Sequence, residues 1–323
     1  MATKKTMKAA VLVGPKQICL QETAIPEPKA NEIRIRLEGC GVCGSNLAPW
    51  EGREWFKYPF AAGQPGHEGW GIIDEVGANV TKWNVGDRVA ALTYNAFAEF
   101  DIAHENSAIL LPPSFAERPC PGEALGCAMN VFRRSDIQPG QTVAVIGIGF
   151  MGTLVTALAA SAGAEVIAIG RRPFSLDLAK QFGAKQTVTM DDHWRIIEEV
   201  KQLTNGVGCD RVIEAVGLQW PLDLAAELTR ERGKLIIAGY HQDGARQVNM
   251  QLWNWRGLDV INAHERDPQI YIDGMRSAVN AIADGTIDPS PLYTHQFSLE
   301  RISDAFSAMD QRPENFLKAI VTI

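Results

Sequence analysis

From residue 8 to about residue 111 the apolar positions fall in short β-branched or alternating runs, at 9–13, 32–37, 69–76, 88–92 and 98–101, each broken by Gly, Pro or Asn. A period of two is what a half-buried strand requires, so this stretch predicts a β-rich domain. Between 141 and 263 the pattern changes: strand-like apolar runs at 142–146, 166–169, 211–215 and 234–238 alternate with amphipathic stretches, the first of them at 153–162. That alternation predicts a parallel sheet with crossover helices. Beyond 263 a helical run at 269–284 leads through Asp288-Pro289-Ser290-Pro291 to a last apolar strand at 317–323, a placement that returns the tail to the first domain. No internal repeat or low-complexity tract appears.

With 323 residues, 46% of them hydrophobic, the chain can fill a core for each of two domains. Its formal charge of −7 offers no basic footprint for a phosphate backbone or an anionic membrane, so neither nucleic acid nor membrane is an expected partner. The apolar run at 9–13 is shorter than a signal peptide's core and stops at Gly14-Pro15. Six scattered cysteines read as reduced thiols. The expectation is a cytoplasmic protein with a small-molecule substrate.

The run at 142–146 passes directly into Gly147-Ile148-Gly149-Phe150-Met151-Gly152 and then into a helical pattern. A strand before the glycines and a helix after them is the context in which the motif cradles a pyrophosphate at a helix N-terminus. A glycine-rich turn that binds nothing is the alternative. The next strand ends Ala168-Ile169-Gly170-Arg171-Arg172, where an acid would meet the ribose hydroxyls of NAD. Here the acid is missing, Gly170 leaves room, and two guanidiniums are available to a 2′-phosphate. NADP(H) is therefore favoured over NAD(H), the other reading being a solvated arginine pair at a helix start.

In the stretch GCGVCGSNLAPW, Cys40 and Cys43 stand three apart. The spacing alone permits a redox pair, half of a zinc site, or packing. The wider set of motifs resembles the medium-chain, zinc-dependent alcohol and polyol dehydrogenases over nearly the whole chain. That set is Gly41-Val42-Cys43-Gly44-Ser45, Gly66-His67-Glu68-Gly69, Val85-Gly86-Asp87-Arg88-Val89, Glu123-Ala124-Leu125, Pro139-Gly140 and the glycine loop. The resemblance implies an α/β protein, a β-rich GroES-like catalytic domain (1–122 and 285–323) with a Rossmann doubly wound parallel-sheet domain (123–284). It also implies a catalytic zinc on Cys43, His67 and, as in the polyol and threonine dehydrogenase branches, a glutamate. Counting back from Pro139-Gly140 puts Glu123 at that position and Cys127 off register, and Glu68 becomes a neighbour that exchanges with the bound water. Cys40 falls outside the metal shell.

By the same resemblance Ser45 is the proton-relay hydroxyl, Val216 and Gly239 line the nicotinamide, and Lys318 meets the cofactor pyrophosphate. The lobe of four closely spaced cysteines that holds a structural zinc in many members is missing, so one catalytic zinc per chain is expected and no structural one. Asn46 stands where most members have Asp, and Ala48 where many have a relay His. A hydride transfer between NADP(H) and a secondary alcohol or ketone, of polyol or sugar type, is implied, in a homodimer or homotetramer. A zinc-free quinone or enoyl reductase, or a non-catalytic NADPH-binding protein of the lens-crystallin kind, are the competing readings. Trp50, Trp55, Phe56, Tyr94, Trp253, Trp255 and His264 are candidates for the cleft wall, or plain core and interface.

Overall fold

The computed structural model describes residues 5–116 and 118–323. In chain order the first elements are β1 (Thr6–Gly14), β2 (Gln17–Ala24), β3 (Glu32–Gly41), α1 (Leu47–Glu51), β4 (Gly69–Val76), β5 (Arg88–Ala91), β6 (Phe100–His104) and β7 (Ala108–Leu110). There follow α2 (Gly122–Ser135), β8 (Thr142–Ile146), α3 (Phe150–Ser161), β9 (Glu165–Gly170), α4 (Pro173–Gln181), β10 (Gln186–Thr189), α5 (His193–Leu203) and β11 (Cys209–Glu214). The remainder are α6 (Gln219–Leu228), β12 (Thr229–Ile237), α7 (Met250–Arg256), β13 (Asp259–Asn262), α8 (Pro268–Ala283), β14 (His295–Ser298), α9 (Ile302–Gln311) and β15 (Ala319–Thr322). None of the described helices is long and apolar enough to cross a membrane.

These elements form two compact units. One takes the described residues up to Gly126 together with Asp267–Asp284 and Asp288–Ile323; the other takes Cys127–Arg266 and Gly285–Ile287. Compared with a division at 122/123 and 284/285, the difference lies chiefly in α8, which joins the β-rich unit. Its reason is a close helix contact, since a Cβ on Gly126 would come within 2.8 Å of the Met275 backbone nitrogen.

In the β-rich unit a seven-stranded sheet runs β14-β15-β3-β4-β5-β7, with β6 also pairing β3, and β1 and β2 form a separate antiparallel pair. Ile33, Ile35 and Leu37 of β3 are buried while Arg36 is exposed, the alternation of a one-faced strand. Toward its end β3 is covered on both faces, through Gly39, Cys40 and Gly41, where β15 pairs it antiparallel (Ile320↔Gly41, Val321↔Cys40). The tail thus returns to the first unit. Trp50, Phe97 and Phe306 meet in its core, with ring centroids 5.3 and 5.5 Å from Phe306.

The second unit is a six-stranded parallel sheet in the order β10-β9-β8-β11-β12-β13. Val143, Ala144, Val145 and Ile146 of β8 are all at 0% exposure, as a central strand sheathed by helices on both faces must be. The order reverses direction between β8 and β11, the switch point at which an open α/β sheet takes its ligand. The fold class is the expected one.

Candidate active site

Strand β3 ends at Gly41, and the chain turns at Cys43 into a short 3-10 turn, Gly44–Asn46, before α1. Strand β4 begins at Gly69, directly after His67-Glu68, and its antiparallel pairing with β3 sets Gly69 opposite Cys40. Two loops from neighbouring strand ends therefore meet. A sulfur of Cys43, a ring nitrogen of His67 and a carboxylate oxygen of Glu68 all lie within 4.8 Å of one another. Gly41 is what makes the approach possible: a Cβ there would sit 1.8 Å from Glu68 Oε2.

Each donor is held from behind. His67 Nδ1 donates to the Pro65 carbonyl at 2.9 Å, which orients the ring, and Ser45 Oγ lies 3.5 Å from Nε2. Asn46, 1% exposed, accepts from the Cys43 backbone N–H through Oδ1 (3.0 Å) and donates from Nδ2 to Pro65 O (3.1 Å). Its amide thus ties the Cys43 turn to the His67 loop through one carbonyl. A carboxylate could accept at one end but not donate at the other. Ala48 is 2% exposed and apolar, so no ring continues the relay from this position.

Lys318, expected against the cofactor pyrophosphate, is instead buried with its ammonium 2.6 Å from both oxygens of the fully buried Glu68. Burial opposes its charge, yet Glu68, Cys43 and Glu123 outweigh burial and raise its pKa. The same balance acts on His67: burial disfavours the imidazolium, but Cys43, then Glu123 and Glu68, push its pKa up to about 10. These groups are gathered so that they call for a cation. Glu123, in the first turn of α2, contributes to that field but lies outside the tight group of three. Cys40 is fully buried, its thiol pushed well up by burial, and it is not one of the group.

In the parallel-sheet unit the three glycines of the loop do three different things. Gly147 has φ +98, and a Cβ there would strike Val216 Cγ2 at 2.5 Å. Gly149, the N-cap of α3, has nothing within 4 Å of an added Cβ, so its backbone is open to a ligand at the helix N-terminus. Gly152 lies so close that a Cβ would fall 2.0 Å from the Gly147 carbonyl. Phe150 and Met151 open α3. Turn, open approach and close packing are the roles a dinucleotide loop assigns to its glycines. Arg171 is exposed beyond the end of β9, and Arg172 is the N-cap of α4.

Val216 and Gly239 follow β11 and β12, and both touch Glu214, a fully buried acid that was not singled out from the sequence. Its signal was present: an acid closing an apolar strand, in Val212-Ile213-Glu214, needs internal donors. Of the aromatic candidates, Trp50 is core, while Trp55, Tyr94 and Trp255 are 58%, 70% and 84% exposed.

Comparison with known proteins agrees with this anatomy. Residues 29–113 match the alcohol dehydrogenase GroES-like domain family, and residues 151–279 match the zinc-binding dehydrogenase family. The chain is 30% identical to the L-threonine 3-dehydrogenase of Bacillus subtilis (strain 168), over 90% of this chain and 91% of that protein. It is 27% identical to the sorbitol dehydrogenase of the same organism, over 98% and 97%. Two solved structures share the fold. One, from Sinorhizobium meliloti 1021 with NADP bound, has TM-score 0.85 and 24% identity over 99% of this chain and 100% of that one. The other, an alcohol dehydrogenase from Escherichia coli CFT073 complexed with NADH, has TM-score 0.88 and 22% identity over 99% and 100%. The chain belongs to the medium-chain zinc-dependent alcohol and polyol dehydrogenases. As a member it is an oxidoreductase of alcohols.

Proposed function

We propose that this protein transfers a hydride between NADP(H) and a secondary alcohol or its ketone, of polyol or sugar type, using one zinc ion per chain. The observation that carries the reading is the meeting of Cys43, His67 and Glu68 within 4.8 Å, on loops fixed by Asn46 and Pro65. Thiolate, imidazole and carboxylate are a donor set suited to zinc, and the Nδ1 bond to Pro65 leaves Nε2 as the nitrogen for the metal. Cys43, His67 and Glu123 would hold it. Glu68 is the neighbouring carboxylate, because Lys318 already neutralises it. With that pair cancelled, the thiolate and Glu123 balance a dication.

When bound, zinc supplies Lewis acidity at the substrate oxygen and the dinucleotide supplies or accepts the hydride. The chain's own part is positional and protonic. Ser45, beside His67, would relay the alcohol proton, accepting it as its own hydroxyl proton passes on, and with Ala48 in place of a base the onward acceptor would be water or a cofactor hydroxyl. The open backbone of Gly149 would seat the pyrophosphate at the start of α3, with Gly147 supplying the turn and Gly152 the close packing. The NADP preference rests on Arg171 and Arg172 and on the missing acid at Gly170. Free cysteines support a cytoplasmic site of action, and the family resemblance supports a homodimer or homotetramer.

A panel of polyols, secondary alcohols and ketones, assayed with NADPH/NADP and NADH/NAD, tests the activity. Turnover of at least one polyol or ketone, with better kcat/KM for the phosphorylated cofactor, is expected. Turnover of quinones or enones alone, in protein without metal, would place the chain with the zinc-free reductases instead.

A further inference from the structure

The carboxyl ends of β11 and β12 are joined by a closed circuit of hydrogen bonds that neither the glycine loop nor the metal cluster uses. Glu214 Oε1 accepts from the backbone N–H groups of Val216 and Gly217, each at 2.7 Å. Its Oε2 lies 3.0 Å from His241 Nε2, and His241 Nδ1 lies 2.9 Å from Arg246 Nε. A guanidinium only donates, so Nδ1 is the acceptor and the ring is the neutral tautomer that donates Nε2–H to Glu214. The same guanidinium donates to the Gly217 carbonyl at 2.9 Å and pairs with Asp243. Gly217 is thereby held by its N–H through Glu214 and by its carbonyl through Arg246.

The circuit reaches the nucleotide loop, because Val216 Cγ2 fills the space beside Gly147. In a doubly wound sheet each half seats one mononucleotide beyond its strand ends. The reading of Arg171 and Arg172 given above, on which this step rests, assigns the phosphorylated adenosine to the half containing β9. The nicotinamide half then falls to β11 and β12. We propose that His241 and Arg246, acting through Glu214, are positioning residues for the nicotinamide half of the cofactor: they fix the Val216 and Gly217 peptides that it must contact.

The test compares a whole cofactor with its adenosine half. Dissociation constants for NADPH and for 2′,5′-ADP are measured by titration calorimetry in wild type, Arg246→Ala, Arg246→Lys, His241→Ala and His241→Gln, with kcat and KM alongside. Arg246→Ala and His241→Ala should weaken NADPH roughly tenfold, the loss of about one hydrogen-bonded anchor, and lower kcat, with 2′,5′-ADP changed by less than about twofold. Arg246→Lys should behave like Arg246→Ala, since an ammonium cannot serve Nδ1 and the Gly217 carbonyl in the same fork geometry. Glutamine offers a donor and an acceptor at opposite corners of its amide, so His241→Gln should recover most of what His241→Ala loses. Equal weakening of both probes, or no change in either, overturns the proposal. Wild type that binds NADH and ADP-ribose but not NADPH would refute the cofactor assignment alone, and the same contrast is then read with that pair. Wild type that binds neither dinucleotide overturns the underlying reading as well.

Discussion

The second glycine of the loop separates ligand binding from folding more cleanly than any other position. Gly149→Ala adds one methyl where nothing lies within 4 Å, and at φ −102, ψ −161 the backbone is extended and open to any residue. Folding should therefore be unaffected or gain about 0.4–1 kcal/mol, because alanine restricts the unfolded chain more than glycine does. The dinucleotide meets the opposite situation. Its pyrophosphate must approach the peptide groups at the start of α3, and a methyl in that approach removes at least one charge-assisted bond, worth about 1.5–3 kcal/mol. That is a rise of roughly tenfold to a hundredfold in Kd. Gly152→Ala is the contrasting variant, because its methyl would sit 2.0 Å from the Gly147 carbonyl oxygen, a backbone atom with no flexible end to move aside. Overpacking of that kind costs about 1–3 kcal/mol and should lower the melting temperature whether or not cofactor is present. Thermal melts and cofactor titrations on the two variants decide the matter. A Gly149→Ala protein that melts as wild type and binds dinucleotide as tightly as wild type would refute the assignment of this loop.

Three further outcomes are expected. In the metal-free protein His67 has its pKa near 10 under the influence of Cys43, Glu123 and Glu68, so zinc must displace a proton: zinc affinity should rise by about tenfold per pH unit between pH 7 and 9, and a flat profile in a chelator competition would contradict this. Replacing Arg171 and Arg172 together by alanine should raise KM for NADPH by roughly tenfold or more with little effect on NADH; the converse Gly170→Asp is a less clean test, since a Cβ there would meet Leu176 at 3.2 Å and Ile148 at 3.3 Å. Burial pushes the Cys120 and Cys209 thiols to about 12, so mass spectrometry after alkylation of native protein at pH 8 should find both unmodified and exposed Cys19 modified. The sign for stability follows: these thiols stay protonated in the fold while those of the unfolded chain ionise, so stability contributed below pH 9 is lost as pH rises toward 12.

What could be read from the chain in advance was whatever is local. The run at 69–76 is β4, the run at 142–146 is β8, and the glycine loop lies between strand and helix as its spacing implies. Strand β2 escaped because its alternation, with Ile18 and Leu20 half-buried between exposed neighbours, is short and lost from Glu22 on, and β10 (QTVT) and β13 (DVIN) because they carry only one and two apolar residues. The candidate site was legible where its residues are neighbours in sequence, as in Gly66-His67-Glu68-Gly69. Lys318 was singled out for a different partner, since nothing local announces a lysine that meets Glu68 from 250 positions away. The Glu214 circuit was missed for a related reason: His241 and Arg246 lie beyond an intervening helix and strand, and their contacts exist only once β11 and β12 are side by side.

The most direct test of the zinc-dehydrogenase account is elemental analysis of the purified protein beside its Cys43→Ala and Cys40→Ala variants, with dehydrogenase activity measured on the same samples. Wild type and Cys40→Ala should each carry one zinc per chain, and Cys43→Ala should lose most of the metal and nearly all turnover. Metal retained in Cys43→Ala and lost in Cys40→Ala, or wild type that turns over alcohols with no zinc, would contradict it.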